Sequence, residues 1–134
     1  MTQPTDSGVP TKSKTILVVD DDPLVRHATS QLVSVIGYSI QIANNGEEAI
    51  EIVRNKSDEI DAVLMDVSMP VMNGIECFEK LMKAVPDLPV ILISGHPFAA
   101  SELQRLTELG LRGYLRKPYR IADLAPVFAG VFDE

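Results

Sequence analysis

Residues 16–26 read Ile-Leu-Val-Val-Asp-Asp-Asp-Pro-Leu-Val-Arg (ILVVDDDPLVR). Four consecutive apolar residues without polar alternation suit a strand covered on both faces, and such strands belong to parallel sheets. The run stops at three aspartates. Pro23 then reads as the first residue of a helix, with Asp22 in front of it as the cap. A buried strand thus delivers Asp20 and Asp21 to a sheet edge, followed at once by a crossover helix.

The same grammar recurs down the chain. Apolar runs stand at Ala62–Met65 and Val90–Ile93, with weaker ones at Tyr38–Ala43 and Gly113–Leu115. Their spacing, about 25 residues, leaves room for a helix between successive strands. Leu24, Ala28, Leu32, Val35 and Ile36 form one helical stripe, closed by Gly37. Ile75, Phe78, Met82 and Val85 form another, and Leu103 with Leu106 a third. Ile121, Leu124, Phe128 and Val131 form the last, with Pro126 inside it and expected to interrupt its hydrogen bonding. Residues 47–54 carry few apolar residues and make the weakest helix. Five strands alternating with five helices predict an α/β domain on a five-stranded parallel sheet over residues 15–132, preceded by a flexible tail at 1–14. Ligands of such sheets sit beyond the carboxyl ends of the strands.

Composition narrows the function. A chain of 134 residues with 46% apolar content can close one core, and its net charge of −7 argues against direct nucleic-acid binding. The single cysteine, Cys77, cannot form an internal disulfide. No apolar run is long enough to span a membrane, and the N-terminus lacks the apolar core of a secretion signal. The expectation is a cytoplasmic protein.

The strand ends gather one kind of chemistry. Asp20 and Asp21 follow the first strand, Asp66 ends the third, Ser94 the fourth, and Lys117 follows the fifth. Clustered carboxylates repel one another unless a cation neutralises them, and oxygen-only ligands suit magnesium. A carboxylate beside such a cation can attack phosphorus and form an acyl phosphate. Ser94 could donate a hydrogen bond to the phosphoryl group, and Lys117 could pair with it. His27 reads as a helix-face histidine, Cys77 as a small packed side chain, and Glu47, Glu48 and Glu51 as a solvated helix face.

ILVVDDDPLVR (16–26), VLMDVSMPVMNG (63–74), VILISGHP (90–97) and GYLRKP (113–118) together resemble the motifs of the response-regulator receiver family, over roughly residues 15–132. The resemblance implies a flavodoxin-like (βα)5 receiver fold. It implies that Asp66 is the phosphoacceptor, that Asp20 and Asp21 hold Mg2+ with Asp66, and that the Ser68 backbone carbonyl completes the metal site. Ser94 and Tyr114 match the switch pair, Lys117 the phosphate-pairing lysine, and Lys117–Pro118 a peptide bond that is commonly cis. Met69, Pro70 and Gly74 match the loop after the acceptor. Ser68 is smaller than many residues at its position, and His96 is a further local variable; both bear on phosphoryl lifetime.

The implied function is a two-component phosphorelay switch with no external substrate. It would take a phosphoryl group from a histidine kinase or histidine phosphotransfer protein and control a downstream protein target. With no output domain in view after the fifth helix, its output is expected to be a protein contact or onward phosphotransfer. The chain fits a stand-alone regulator or the receiver of a hybrid histidine kinase, with VILISGHP leaning toward the latter. An aspartate-nucleophile phosphatase acting on a small substrate is the alternative, but it would want a second acid where Ser68 stands. A flavin carrier would want a Ser/Thr/Gly-rich phosphate loop where the three aspartates stand.

Overall fold

The computed structural model describes residues 13–132. The tail expected at 1–14 therefore lies outside the described residues except for Ser13 and Lys14. Those two already touch the domain, Ser13 through a 2.8 Å hydroxyl contact with Ser39 and Lys14 over the ring of Phe132.

Five strands, β1 (Thr15–Val19), β2 (Ser39–Ala43), β3 (Ala62–Asp66), β4 (Val90–Ser94) and β5 (Gly113–Arg116), form one parallel sheet in the order β2-β1-β3-β4-β5. Helices α1 (Pro23–Ile36), α2 (Gly46–Lys56), α3 (Gly74–Ala84), α4 (Ala100–Leu109) and α5 (Ile121–Phe132) fill the crossovers and close the chain, with a 3-10 turn at Ser57–Glu59. The continuous apolar runs become strands β1, β3 and β4, each of which buries both faces, whereas the edge strands β2 and β5 are partly exposed. Leu17, Val19, Val63, Met65, Val90 and Leu92 face α2, α3 and α4; Ile16, Val18, Ala62, Leu64, Ile91 and Ile93 face α1 and α5.

Local caps fix where the helices begin. The Asp22 carboxylate accepts from the Leu24 and Val25 amides, with Pro23 opening α1. Asn45 accepts from the Glu48 amide, which makes a regular helix of the stretch that looked weakest in the sequence. Asn73 and Glu76 form a reciprocal capping box at the start of α3. Helix α4 has no side-chain cap and buries only Leu106. Helix α5 runs through Pro126 without ending there.

One stripe differs from expectation. Leu24 is 81% exposed and Val35 72%, while α1 packs on the sheet through Thr29, Ser30 and Val33. Of the stripe expected from the sequence, Leu32 and Ile36 pack against the core as partly buried side chains, while Leu24 and Val35 face outward.

Candidate functional site

The strand order reverses direction between β1 and β3, and the crevice at such a point is where parallel α/β sheets hold ligands. Asp20 leaves β1 there and Asp66 ends β3 beside it. Their relative exposures are only 5% and 4%, whereas Asp21 is exposed. One oxygen from each of Asp20, Asp21 and Asp66 lies within 4.8 Å of the others. Three acids drawn from two strand ends and sharing no sulfur or imidazole form a donor set that fits a hard divalent cation.

The surrounding groups manage this charge. Lys117 Nζ stands 2.8 Å from Asp66 Oδ1. That oxygen has no hydrogen-bond partner of good angle among the described residues, so Lys117 acts on it as a point charge. Asp20 Oδ1 accepts from the Asp22 amide, and the Arg26 guanidinium donates to the Asp20 carbonyl at 2.9 Å. Burial, with Asp66 and Asp21 nearby, holds the Asp20 carboxyl above its ordinary value despite the Asp22 amide and Lys117. Burial alone would pull the Lys117 ammonium down. The Asp66 carboxylate, with Asp20 behind it, more than offsets that and leaves it above the ordinary lysine value.

The β5–α5 connection carries Lys117 over the site. The Lys117–Pro118 bond is cis, as the resemblance implied. The Lys117 amide donates to the Ser94 carbonyl at 2.9 Å. Tyr119 and Thr29 hydroxyls meet at 2.7 Å and tie this connection to α1. Burial pushes the Tyr119 phenol up, so it stays protonated in this contact. An open groove lined by Leu24, Val25, Ala28, Leu32, Pro118 and Tyr119 leads to Lys117. The Thr29–Tyr119 link is not readable from sequence, because its members lie far apart in the chain and look like ordinary core polar residues.

The hydrogen bonds of Ser94 and Tyr114 run to His96 rather than to Asp66. The Ser94 hydroxyl donates to the His96 carbonyl at 2.7 Å and accepts from the His96 amide at 3.0 Å. The Tyr114 hydroxyl donates to the same carbonyl at 3.1 Å. Ser68 is exposed in the turn after Asp66. In that turn the Met72 amide donates to the Pro70 carbonyl, with Val71 between them at a φ of +69°. Gly74 follows, packed on the backbone of Asp66 and Val67.

These features have close counterparts. The response regulator receiver domain model matches residues 16–128. Response regulator MprA of Mycolicibacterium vanbaalenii is 36% identical over 109 residues, covering 81% of this chain and 46% of that protein. The chain thus spans about half the length of the curated relatives it matches. A response regulator receiver domain protein from Clostridium thermocellum superposes with a TM-score of 0.82 at 27% identity, covering 90% of this chain and 94% of that one. Response regulator TrrA of Thermotoga maritima, solved in complex with Mg(2+)-BeF, gives 0.76 at 30% identity and covers 88% and 98%. With the sheet order, the acidic crevice and the matched motifs in agreement over almost all of the described residues, the chain belongs to the response regulator receiver domain family, the signalling switches of two-component systems.

Proposed function

We propose that Asp66 accepts a phosphoryl group from the phosphohistidine of a histidine kinase or histidine phosphotransfer protein, with Mg2+ held by Asp20, Asp21, Asp66 and the Ser68 carbonyl. One observation carries this reading: three carboxylate oxygens converge within 4.8 Å while Lys117 Nζ sits 2.8 Å from the acceptor. When bound, the cation offsets the repulsion between the attacking carboxylate and the phosphoryl oxygens. That the related TrrA was solved with Mg(2+)-BeF supports the assignment.

The chain's own residues do the rest. An Asp66 oxygen forms the new O–P bond as the N–P bond of the donor breaks, and the donor imidazole leaves with the electron pair. Lys117 moves from the carboxylate to a phosphoryl oxygen, a short step for a flexible ammonium. Ser94 turns its hydroxyl toward the phosphoryl group, and Tyr114 reports the change to a downstream protein. The exposed apolar groove beside Lys117 suits docking of a protein donor. A net charge of −7 makes nucleic acid a poor direct partner. No helix among the described residues is long and apolar enough to cross a membrane, and we place the switch in the cytoplasm.

A small phosphodonor with magnesium should add one phosphoryl group by intact-mass spectrometry, and Asp66→Asn should stay unmodified. Equal modification of Asp66→Asn would overturn the assignment.

A further inference from the structure

We infer that Arg26 is a positioning residue for the cation site. Its guanidinium holds the main chain at Asp20 and so fixes the spacing of the three carboxylates to suit a small cation, Mg2+, over a larger one, Ca2+. The inference rests on the metal reading above and deepens it.

Arg26 is surrounded by acids that it leaves alone. Asp20, Asp21 and Asp22 all precede it within two turns' length of chain, and Asp21 and Asp22 are exposed. A guanidinium is shaped to pair with a carboxylate. Among the described residues, Arg26 forms an ion pair with none of them. It donates instead to the Asp20 carbonyl at 2.9 Å, in a partly buried setting. Burial raises the Asp20 carboxyl most, and the cation that opposes this is Lys117, not Arg26. The carboxylate oxygens are thus left open to a metal ion, while the charge of Arg26 is directed at the peptide behind them.

That peptide needs holding. The β1–β3 register ends at Val19 with Met65, one residue short of Asp20. On the β2 side, the Asp20 amide reaches the Ala43 carbonyl only at 3.3 Å. Repulsion among the oxygens of Asp20, Asp21 and Asp66, gathered within 4.8 Å, pushes this strand end away from β3. A hydrogen bond from a charged donor is about twice as strong as a neutral one. Arg26 is itself well anchored, since its amide donates to the Asp22 carbonyl at 2.8 Å in the first turn of α1. The end of β1 and the start of α1 therefore close on each other, with the guanidinium as the clasp.

Mg2+ demands near-ideal octahedral geometry at about 2.0–2.1 Å, whereas Ca2+ accepts longer and looser coordination. Loosening Asp20 should therefore weaken Mg2+ more than Ca2+. Charge acts the other way. Removing a positive group from beside a cation site would, by itself, tighten both ions. Positioning and simple charge thus predict opposite signs.

The test titrates the full chain with magnesium chloride and, separately, calcium chloride at fixed ionic strength, followed by the backbone amide NMR signals of Asp21 and Val67. Arg26→Met keeps the apolar stem and removes the donor. It should weaken Mg2+ binding by roughly 10-fold, the lower end of what outer-shell partners of metal ligands contribute. Ca2+ should weaken less, so the ratio of the two dissociation constants moves toward calcium, which a general loss of stability would not produce. Arg26→Gln should give the same ranking and covers a folding defect in the methionine variant. Mg2+ binding as tight as wild type or tighter in both variants overturns the inference, as does equal weakening of the two ions. If wild type binds Mg2+ no better than Asp20→Asn does, the metal reading fails and this inference with it.

Discussion

Gly74 stands directly behind Asp66: a Cβ placed on it would overlap the Asp66 carbonyl oxygen and lie 2.8 Å from the Val67 Cα. Both obstacles are backbone, which cannot swing aside as a side chain tip would. The Gly74 amide also donates to the Val67 carbonyl at 2.8 Å, so the first turn of α3 is pinned to the residue after Asp66. Gly74→Ala should cost about 1–3 kcal/mol as an overpacked site. It should also slow phosphorylation by displacing the Asp66 peptide. Denaturant midpoints and phosphorylation rates, measured on the same preparation, check both halves; a wild-type midpoint would mean α3 yields more easily than this packing implies.

Much of this arrangement was legible in the sequence because it is local. Four uninterrupted apolar residues before Asp20 and before Asp66 determine two buried strands, and the Asp22–Pro23 and Asn73–Glu76 pairs are caps readable from spacing alone. Other parts were not legible. Helix α1 has two faces that could each pass for a packing face. Periodicity picks out Leu32 and Ile36, which do pack on the core, but also Leu24 and Val35, which stay outside, while Thr29, Ser30 and Val33 are the side chains α1 buries. The sharing of the His96 carbonyl by Ser94 and Tyr114, and the packing of Phe98 on Tyr114, join residues on different strands and loops. No short-range pattern announces such contacts.

Charge crowding makes Asp20 a liability to the metal-free protein. It is 5% exposed, burial raises its carboxyl, and Asp66 and Asp21 add repulsion that the Asp22 amide and Lys117 only partly offset. Asp20→Asn preserves the shape and can still accept from the Asp22 amide. In the presence of a chelator at neutral pH, this variant should melt higher than wild type, by about 1 kcal/mol of stability. Magnesium should then raise the wild-type Tm and leave that of Asp20→Asn nearly unmoved. A variant that is less stable without metal, or that gains as much from it, would contradict this reading of the cluster.

Cys77 offers a pH test remote from the crevice. Its thiol is buried, lies 3.6 Å from the Gly46 carbonyl, and is pushed up to about 12 from 9.0 chiefly by burial, with Lys80 opposing slightly. The folded-state value is the higher one, so the folded protein keeps this proton longer than the unfolded chain. The associated stability is fully present below pH 9.0 and is lost as pH rises toward about 12. At its limit the loss is on the order of 4 kcal/mol, three pKa steps. The stability difference between wild type and Cys77→Ala should shrink across that window, and iodoacetamide should leave native Cys77 unmodified at pH 8. Rapid native alkylation would show that the thiol is not enclosed as described.

Val71 is the strained member of the loop after Asp66. It is a β-branched residue at a φ of +69°, between Pro70 and Met72 in a three-residue turn closed by a 2.7 Å hydrogen bond. A β-branched side chain in this region meets its own backbone, and strain of this kind costs about 1–3 kcal/mol. Nothing in its packing repays that cost, because Val71 is 94% exposed. Val71→Gly removes the clash but gives the unfolded chain more freedom, which returns roughly 0.5–1 kcal/mol. The net expectation is a variant more stable by about 0.5–2 kcal/mol, measured as a higher denaturant midpoint with an unchanged slope. Ser68 lies in the same loop, so magnesium affinity should be measured alongside. A glycine variant of lower stability would mean that this exposed side chain holds the turn in place through contacts the backbone geometry does not account for.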